Sequence, residues 1–511
     1  MKKQVFPQGA FSIGSACHTP HETGPESRRI PRVLAIVLLL PLALAPGVST
    51  ADPYDITPGP PYEYDPISGG RNCILSQIDG THSLCLHRGV GGQAVILSVD
   101  PGDWTLMKET DYRYDRNGDY MGLADIDPTH YLCTYCGDGE AAFASVLSID
   151  PGDWSIATES RILYDPEFGY YNALSAIDET HYLGVHNMWD VTGRAGVFTV
   201  DPETWSISYG TECAFEIESG YDFKLSRIDA THHLCIYPSQ AGGYFGRAVV
   251  LVVDPGDWTV RTAHEPFTFA ADCDAYCFAS RIDETHFLCA YQGPDSHGWA
   301  VVLTVDPVDW SISMETPFEY DPALGGEPNV LRIDATHHLC AYKGEGADGY
   351  AVVLTVDPAD WSISREAPRE WDPEWADYPY LCRIDDGHYL CSYEGPGGDG
   401  WALVLGVELP EGAWVEGDLE RPVRLSGYPN PFAELTTIDY RLATSGRAEL
   451  AIYDIRGQKV SALRNGWLSG GVGSVRWDGT DSDGRRVSPG VYFCTLKVGD
   501  GREVAKLIAT R

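Results

Sequence analysis

Positive charge is scarce in this chain. Its 36 lysines and arginines stand against 74 aspartates and glutamates, a formal charge of −38 over 511 residues. Such an excess opposes binding to nucleic acid or anionic lipid, since both are polyanions. Methionine is rare as well, with five copies. Long apolar runs are missing after the first fifty residues, so no later segment offers the roughly 20 apolar residues that span a bilayer. Glycine (54) and proline (34) are plentiful but follow no collagen period. Hydrophobic residues at 43% and charged residues at 22% are near the globular average, which excludes wholesale disorder. The mixture suits a turn-rich β protein, and the length calls for two or more domains.

Residues 1–51 read as a signal peptide. Arg28, Arg29 and Arg32 precede an apolar run from Val33 to Ala45, and Ser49-Thr50-Ala51 supplies small residues for cleavage. Without this segment the chain keeps 31 basic and 72 acidic residues. The charge is divided unevenly: 52–423 hold 18 basic and 63 acidic residues, whereas 424–511 hold 13 basic and 9 acidic. That break places a domain boundary near residue 422. The expected order is signal peptide 1–51, a large acidic domain 52–421 and a small domain 422–511. The mature chain is expected to have no membrane span.

The acidic part repeats. A unit opening with Ile-Asp-x-Thr-His, with Gly387 in place of Thr in the last copy, puts histidines at His82, His130, His181, His232, His286, His337 and His388, spaced by 48, 51, 51, 54, 51 and 51 residues. Each unit continues through a Leu-Cys-x-Tyr-like run, a glycine-rich gap, an apolar run and Asp-Pro-x-x-Trp. The tryptophans are Trp104, Trp154, Trp205, Trp258, Trp310 and Trp361, with Trp414 in an eroded seventh copy. Four short β-branched and aromatic stretches per unit, separated by Gly, Asp and Pro turns, predict four strands. The third is apolar on both faces, as packing between two sheets requires. Seven four-stranded units predict an all-β, seven-bladed β-propeller. A Phe-Glu-Tyr-Asp-Pro-like element follows each tryptophan except Trp414, yet Tyr62-Glu63-Tyr64-Asp65-Pro66 stands ahead of the first unit. An N-terminal strand is therefore expected to complete the seventh blade and cover its edge.

The repeat resembles those of exported bacterial propellers. Ser98-Val99-Asp100-Pro101-Gly102-Asp103-Trp104 is similar to the Asp-box of sialidase-like propellers but one residue short, and the resemblance implies a fold-stabilising turn between third and fourth strands. It brings no sialidase site, because the arginine cluster such a site needs is missing.

The seven Asp-x-x-His pairs suit metal or acid–base chemistry by residue type. Their presence in every unit fits a structural role better: Asp capping the turn's N–H groups and His bridging to a neighbour. Arg227, Arg281, Arg332 and Arg383 share one repeat position and are expected to pair with nearby carboxylates. Cys85, Cys133, Cys235, Cys289, Cys340 and Cys391 fall three residues after the histidine, with Gly184 in the third copy, which predicts a small buried slot. Cys133 and Cys136 match C-x-x-C, but on a strand rather than at the helix start that redox chemistry uses. Cys273 and Cys277, outside the repeat position, are the pair best placed for a disulfide.

Alternating strands put both constant turns on one face of the ring, and the connections between strands two–three and four–one on the other. The second face varies between repeats, and loops on a rigid scaffold carry specificity. It holds the candidate ligand-binding residues Tyr120, Tyr170, Tyr171, Trp189, Tyr221, Tyr276, Trp375 and Tyr378, interleaved with Asp119, Glu167, Asp222, Asp274, Glu374 and Asp377. Aromatic faces among carboxylates suit sugars, cationic groups or calcium. No cofactor and no metal ligand set is expected, calcium being the one ion this composition suits. Catalysis by two carboxylates is an alternative, but nothing singles out a pair.

In the last ninety residues, Pro429-Asn430-Pro431-Phe432, Leu450-Ala451-Ile452-Tyr453-Asp454, Trp477-Asp478-Gly479 and Gly490-Val491-Tyr492-Phe493 stand among alternating runs and Gly/Asp turns. This segment resembles the C-terminal sorting domain of type IX secretion cargo, and equally the Ig-like domain of flagellar hook-capping proteins. The resemblance implies a small β-sandwich that meets secretion machinery through 422–511. Asp478 to Gly484 looks like a calcium loop, but no glutamate closes it and a hairpin turn is expected. The sequence thus predicts an extracellular or surface-displayed protein that binds a glycan or protein. The alternatives are a secreted glycan-cleaving propeller and a structural surface component.

Overall fold

The computed structural model describes residues 53–67, 70–188, 192–216, 219–240, 243–273, 276–410, 423–428, 432, 436–442, 446–454, 456, 458–468, 471–482, 485–498 and 501–510. The expected signal peptide and Trp414 lie outside them.

Seven antiparallel sheets of four strands each form a seven-bladed β-propeller. The innermost strands are Arg71–Gln77, Asp119–Asp127, Tyr170–Ala176, Lys224–Arg227, Cys277–Arg281, Gly326–Arg332 and Asp377–Arg383. Each packs on the next in chain order, and the last packs on the first, so the ring is closed. Within blade 6, His337–Lys343 pairs with Gly349–Val356, which pairs with an outer strand broken into Ile363–Arg365 and Arg369–Asp372. Val352, Val353 and Leu354 are fully buried because this third strand is covered on both faces.

The constant turns hold one blade to the next. Asp79 Oδ1 accepts hydrogen bonds from the backbone N–H groups of Thr81 (2.7 Å) and His82 (2.8 Å), and the His82 ring nitrogen lies 3.0 Å away. Partial burial works against the Asp79 carboxylate, but the Thr81 N–H and the His82 ring hold it below the usual range. The oriented His82 ring stacks on Trp154 of the following blade at 3.8 Å. The same stack recurs as His130–Trp205, His181–Trp258, His232–Trp310 and His286–Trp361. Each of these tryptophans has a positive φ between 57° and 66°. A bulky residue pays roughly 1–2 kcal/mol to stand there, which a stacking contact of about 0.5–1.5 kcal/mol and the buried ring area offset.

The ring shuts where the pattern is altered. The outer strand of blade 7 comes from the N-terminus: Ile56–Pro58 and Tyr62–Asp65 pair with Gly400–Val407, with Ile56 opposite Val407 and Asp65 opposite Gly400. His388 of blade 7 stacks on Trp104 of blade 1 at 3.5 Å. His337 of blade 6 stacks not on a tryptophan but on Tyr54, at 3.8 Å, and the Tyr54 hydroxyl donates to Asp334 at 2.8 Å. Tyr54 thus closes the ladder of seven stacks from the start of the domain.

The repeat cysteines are wholly buried. In blade 3 the slot is filled by Phe198: a Cβ on Gly184 would stand 2.3 Å from that ring, which explains the glycine. Two expectations are corrected. All thirteen described cysteines are free thiols, Cys273 and Cys277 included; these two are buried side by side without a bond. The repeated arginines bind mainly backbone carbonyls rather than carboxylates. Arg227 donates to Asp229 O (3.1 Å) and Ile177 O (2.9 Å), and Arg383 to Arg332 O (2.6 Å) and Ile333 O (2.9 Å). The ends of the innermost strands leave these carbonyls without a ladder partner, and the guanidinium fork satisfies two at once. A long 3.9 Å pair with Asp386 is the carboxylate contact of Arg383.

The C-terminal domain is an Ig-like β-sandwich. Val423–Tyr428, Thr436–Leu442 and Gly471–Trp477 form one sheet; Lys459–Leu468, Gly446–Asp454, Gly490–Val498 and Gly501–Ala509 form the other. Phe432, Ile438, Leu450, Ile452, Trp477, Cys494, Leu496 and Leu507 make its core. Around Asp478, the carboxylate accepts from Thr480 N (3.1 Å) and Asp481 N donates to Arg485 O (2.8 Å), a hairpin pattern.

Candidate functional site

The axis of the propeller opens on the face opposite the His–Trp ladder, where the innermost strands begin. Counting five residues back from the repeated arginine position gives one residue per blade: Asn72, Tyr120, Tyr171, Asp222, Tyr276, Glu327 and Tyr378. All seven line two adjoining cavities at the axis, of about 160 and 80 Å³, which share Asn72, Cys73, Asp222, Lys224, Phe278 and Tyr380. Six of the seven have positive φ, between 47° and 55° (Asn72, Tyr120, Tyr171, Asp222, Glu327 and Tyr378). Non-glycine residues adopt this conformation at a cost, and strain of this kind gathers at functional sites. Its local effect is to turn each strand start inward, so that seven side chains crowd one opening.

The opening has two unlike walls. On blades 2 to 4, the Tyr120 ring lies 4.7 Å from Tyr170 and 4.6 Å from Tyr171, and Tyr171 lies 5.8 Å from Tyr221. Phe168 backs Tyr170 at 4.3 Å. Beneath them Asp119 is buried, accepting from Asn72 Nδ2 (2.7 Å) and Arg88 Nη1 (2.6 Å). On blades 5 to 7, Tyr276 and Tyr378 meet edge-on at 5.7 Å with their hydroxyls 3.5 Å apart. Burial, then the Tyr378 hydroxyl, keep the Tyr276 phenol well above its ordinary range, so it stays a neutral donor.

Charge collects on the second wall. Glu327 accepts from Tyr378 N at 2.6 Å, Lys343 Nζ stands 2.5 Å from Asp377, and Arg71 Nε donates to Glu394 at 3.0 Å. Burial and the neighbouring Asp377 push Glu327 up to about 7. Burial also raises Glu394, against the pull of Arg71. A carboxyl that titrates near neutrality inside a concave site can donate or accept a proton at physiological pH.

Of the sequence-derived candidates, the structure brings Tyr120, Tyr170, Tyr171 and Tyr221 together on one wall and Tyr276 and Tyr378 on the other. Trp375 is 42% exposed and is not among the residues lining the two cavities, with Lys343 5.4 Å from its ring centre. Trp189 and Asp274 lie outside the described residues. Asn72, Glu327, Lys343 and Arg71 were not among the candidates. The signal for Asn72 and Glu327 was their repeat position, which aligning the units on the arginine would have exposed. Cys133 and Cys136 remain outside any redox reading: burial pushes both thiols up to about 12.

Among the described residues, no helix is long and apolar enough to cross a membrane. Residues 434–501 match the family model of the FlgD Ig-like domain. No curated protein matches the chain. Solved structures that resemble it include a 6-phosphogluconolactonase-like protein of Bacteroides uniformis, 9% identical, covering 77% of this chain and 99% of that one at a TM-score of 0.48. The periplasmic gluconolactonase PpgL of Pseudomonas aeruginosa is 12% identical and covers 76% and 96%, at 0.46. PorZ of Porphyromonas gingivalis, a surface component of the type IX secretion system, is 12% identical and covers 84% and 58%, at 0.38. Likenesses this distant do not bear on what this chain binds or does. The similarity established by sequence is that of the C-terminal domain to the FlgD Ig-like family.

Proposed function

We propose that the protein is exported and uses the tyrosine-rimmed mouth of its propeller to bind an extracellular ligand, a glycan by preference or a protein side-chain cluster. The observation that carries this reading is the ring of seven inward residues, four of them tyrosines and six of them at positive φ, over cavities with a charged wall. Tyrosine offers a flat apolar face and a hydroxyl at small entropic cost, which fits sugar rings. The C-terminal sandwich serves passage across the outer membrane, a reading supported by the sorting-domain resemblance and by the basic balance of that segment.

Binding of the mature chain to an arrayed glycan library tests the site. Saturable binding that weakens at least tenfold in Tyr171→Ala and in Tyr378→Ala supports the mouth as the site. Full binding in both variants overturns it. Deleting 424–511 tests sorting: the truncated chain is expected to fold but stay in the periplasm, and its appearance outside the cell at normal levels would refute that role.

One observation favours a second reading. Glu327, held near neutrality, has the character of a general acid, and Asp377 and Glu394 are carboxylates of the same wall. Product release from a bound glycan, abolished by Glu327→Gln with binding retained, would make the protein a glycan-cleaving enzyme.

A further inference from the structure

A second constellation lies away from the mouth, between blades 2 and 3. In the Leu-Cys-x-Tyr run, the last position faces a carboxylate at the end of the preceding blade's outer strand. In blades 6 and 7 it is tyrosine, and its hydroxyl donates to that carboxylate at 2.7 Å: Tyr342 to Asp321 and Tyr393 to Asp372. Blade 3 departs from this plan. Its residue is His186, 1% exposed, and a second carboxylate, Glu212, has joined Asp165. Glu212 sits at the bend between Ile207–Tyr209 and Cys213–Glu216, which brings its side chain back over the blade.

One of the two contacts is a long hydrogen bond, and neither has the length of a charge-assisted one. His186 Nε2 is 3.4 Å from Asp165 Oδ2 and 3.6 Å from Glu212 Oε1, beyond the roughly 2.7–2.9 Å of a charge-assisted bond. The same spacing suits coordination. Ligand atoms held about 2.0–2.2 Å from one tetrahedral ion stand about 3.4 Å from one another. Here one nitrogen and two oxygens lie within 4.8 Å of one another, the only such trio among the described residues. Blade 1 has the same histidine substitution, His87 at 3.7 Å from Asp65, but forms no such trio among the described residues.

Two further observations point to a cation. No lysine or arginine among the described residues forms an ion pair with Asp165 or Glu212, so two carboxylates face one imidazole. The Tyr209 hydroxyl is buried beside Glu212 without a well-formed hydrogen bond. The Asp165 carboxylate is meanwhile fixed through Oδ1, which accepts from Glu167 N at 2.8 Å, and Oδ2 is turned toward the imidazole, 3.4 Å from His186 Nε2. Tyr164 walls the imidazole edge-on at 5.2 Å, and Glu212, 25% exposed in its side chain, leaves a route in from solvent.

We infer that Asp165, His186 and Glu212 form a binding site for one divalent transition-metal ion of the zinc class, which ties blade 2 to blade 3 and keeps a fourth position for water. Calcium is the wrong occupant, since it takes six to eight oxygens at about 2.3–2.6 Å and avoids imidazole.

The full mature chain, stripped with a chelator, is titrated with zinc chloride by calorimetry, with calcium chloride in parallel, and melted with and without zinc. One zinc per chain is expected, unaffected by millimolar calcium, with a higher melting temperature when zinc is bound. His186→Tyr restores the residue of blades 6 and 7 and should abolish this site. Glu212→Gln should weaken it roughly tenfold or more, and each variant's fold is checked by its far-UV spectrum. Absence of a saturable site in the wild type overturns the inference. So does unchanged stoichiometry and affinity in both variants, which would put zinc on the Asp–His turns instead.

Discussion

Tyr54 is the residue through which ring closure can be measured. It stands in for a tryptophan in the ladder, stacking on His337 and donating to Asp334. Replacing it with alanine removes a stack of about 0.5–1.5 kcal/mol and a hydrogen bond to a carboxylate of about 1.5–3 kcal/mol, together roughly 2–4.5 kcal/mol. Tyr54→Phe keeps the stack. Asp334 then still accepts from Thr336 N (2.9 Å) and His337 N (2.9 Å) and faces the His337 ring at 2.8 Å, so the loss should be at the low end, about 1–2 kcal/mol. Tyr54→Trp installs the residue used by the other stacks and should match Tyr54→Phe. The assay is reversible urea unfolding followed by tryptophan fluorescence, with the slope checked for constancy so that midpoints report stability. The order wild type, then Phe and Trp together, then Ala is expected, and Ala should also gain protease cleavage near residues 52–60. An alanine variant that unfolds with the wild-type midpoint would refute the claim that this contact closes the ring.

Other outcomes follow from the same geometry. Glu327 has a folded value of about 7, above its unfolded one, so it favours the folded state less as pH rises through that range. Glu327→Gln should therefore stabilise the protein at pH 8, by on the order of 1–3 kcal/mol, and change little at pH 5; destabilisation at pH 8 would contradict the burial argument. His233 and His338 are buried and held down to about 3, each with Nδ1 2.9 Å from a serine hydroxyl. The unfolded chain protonates them below about pH 6.5, so stability should be full above that value and fall toward pH 4; a flat profile of melting temperature over that window would count against it. Thiol titration of the native chain should find Cys213 the most reactive described cysteine, since it alone is partly exposed, and all thirteen only after unfolding. Rapid native labelling of Cys273 or Cys277 would overturn their burial.

The propeller was legible because its physics repeats. An Asp-capped turn, a buried small slot and a stacked tryptophan are needed once per blade, so the sequence shows them at a fixed period, and the displaced Tyr62–Asp65 element revealed how blade 7 is completed. Tyr54 was not legible: it lies outside any strand pattern, and only three-dimensional closure sets it against His337. At the mouth, the tyrosines stood out as aromatics in variable connections, whereas Asn72 and Glu327 did not, because the ring position tolerates Asn, Tyr, Asp and Glu alike. What six of the seven share there is a backbone conformation, and no residue type announces it. Disulfide pairing was misjudged for Cys273 and Cys277 because spacing says nothing of whether two buried thiols are bonded. Glu212 joins Asp165 and His186 through a bend in an outer strand, a feature with no period to reveal it.

The borrowed outer strand also sets a timetable. Ile56 and Val407 are roughly 350 residues apart in the chain yet directly opposed in one sheet. Closing so large a loop adds entropic cost before any contact rewards it, and contacts of this range slow folding. Blades 1 to 6 can each assemble from neighbouring sequence, but blade 7 cannot until both ends of the domain are present together. A chain that folds from its N-terminus therefore stays unlatched until Gly400–Val407 is available to pair. Closure of the ring is thus the last step that the order of the strands allows.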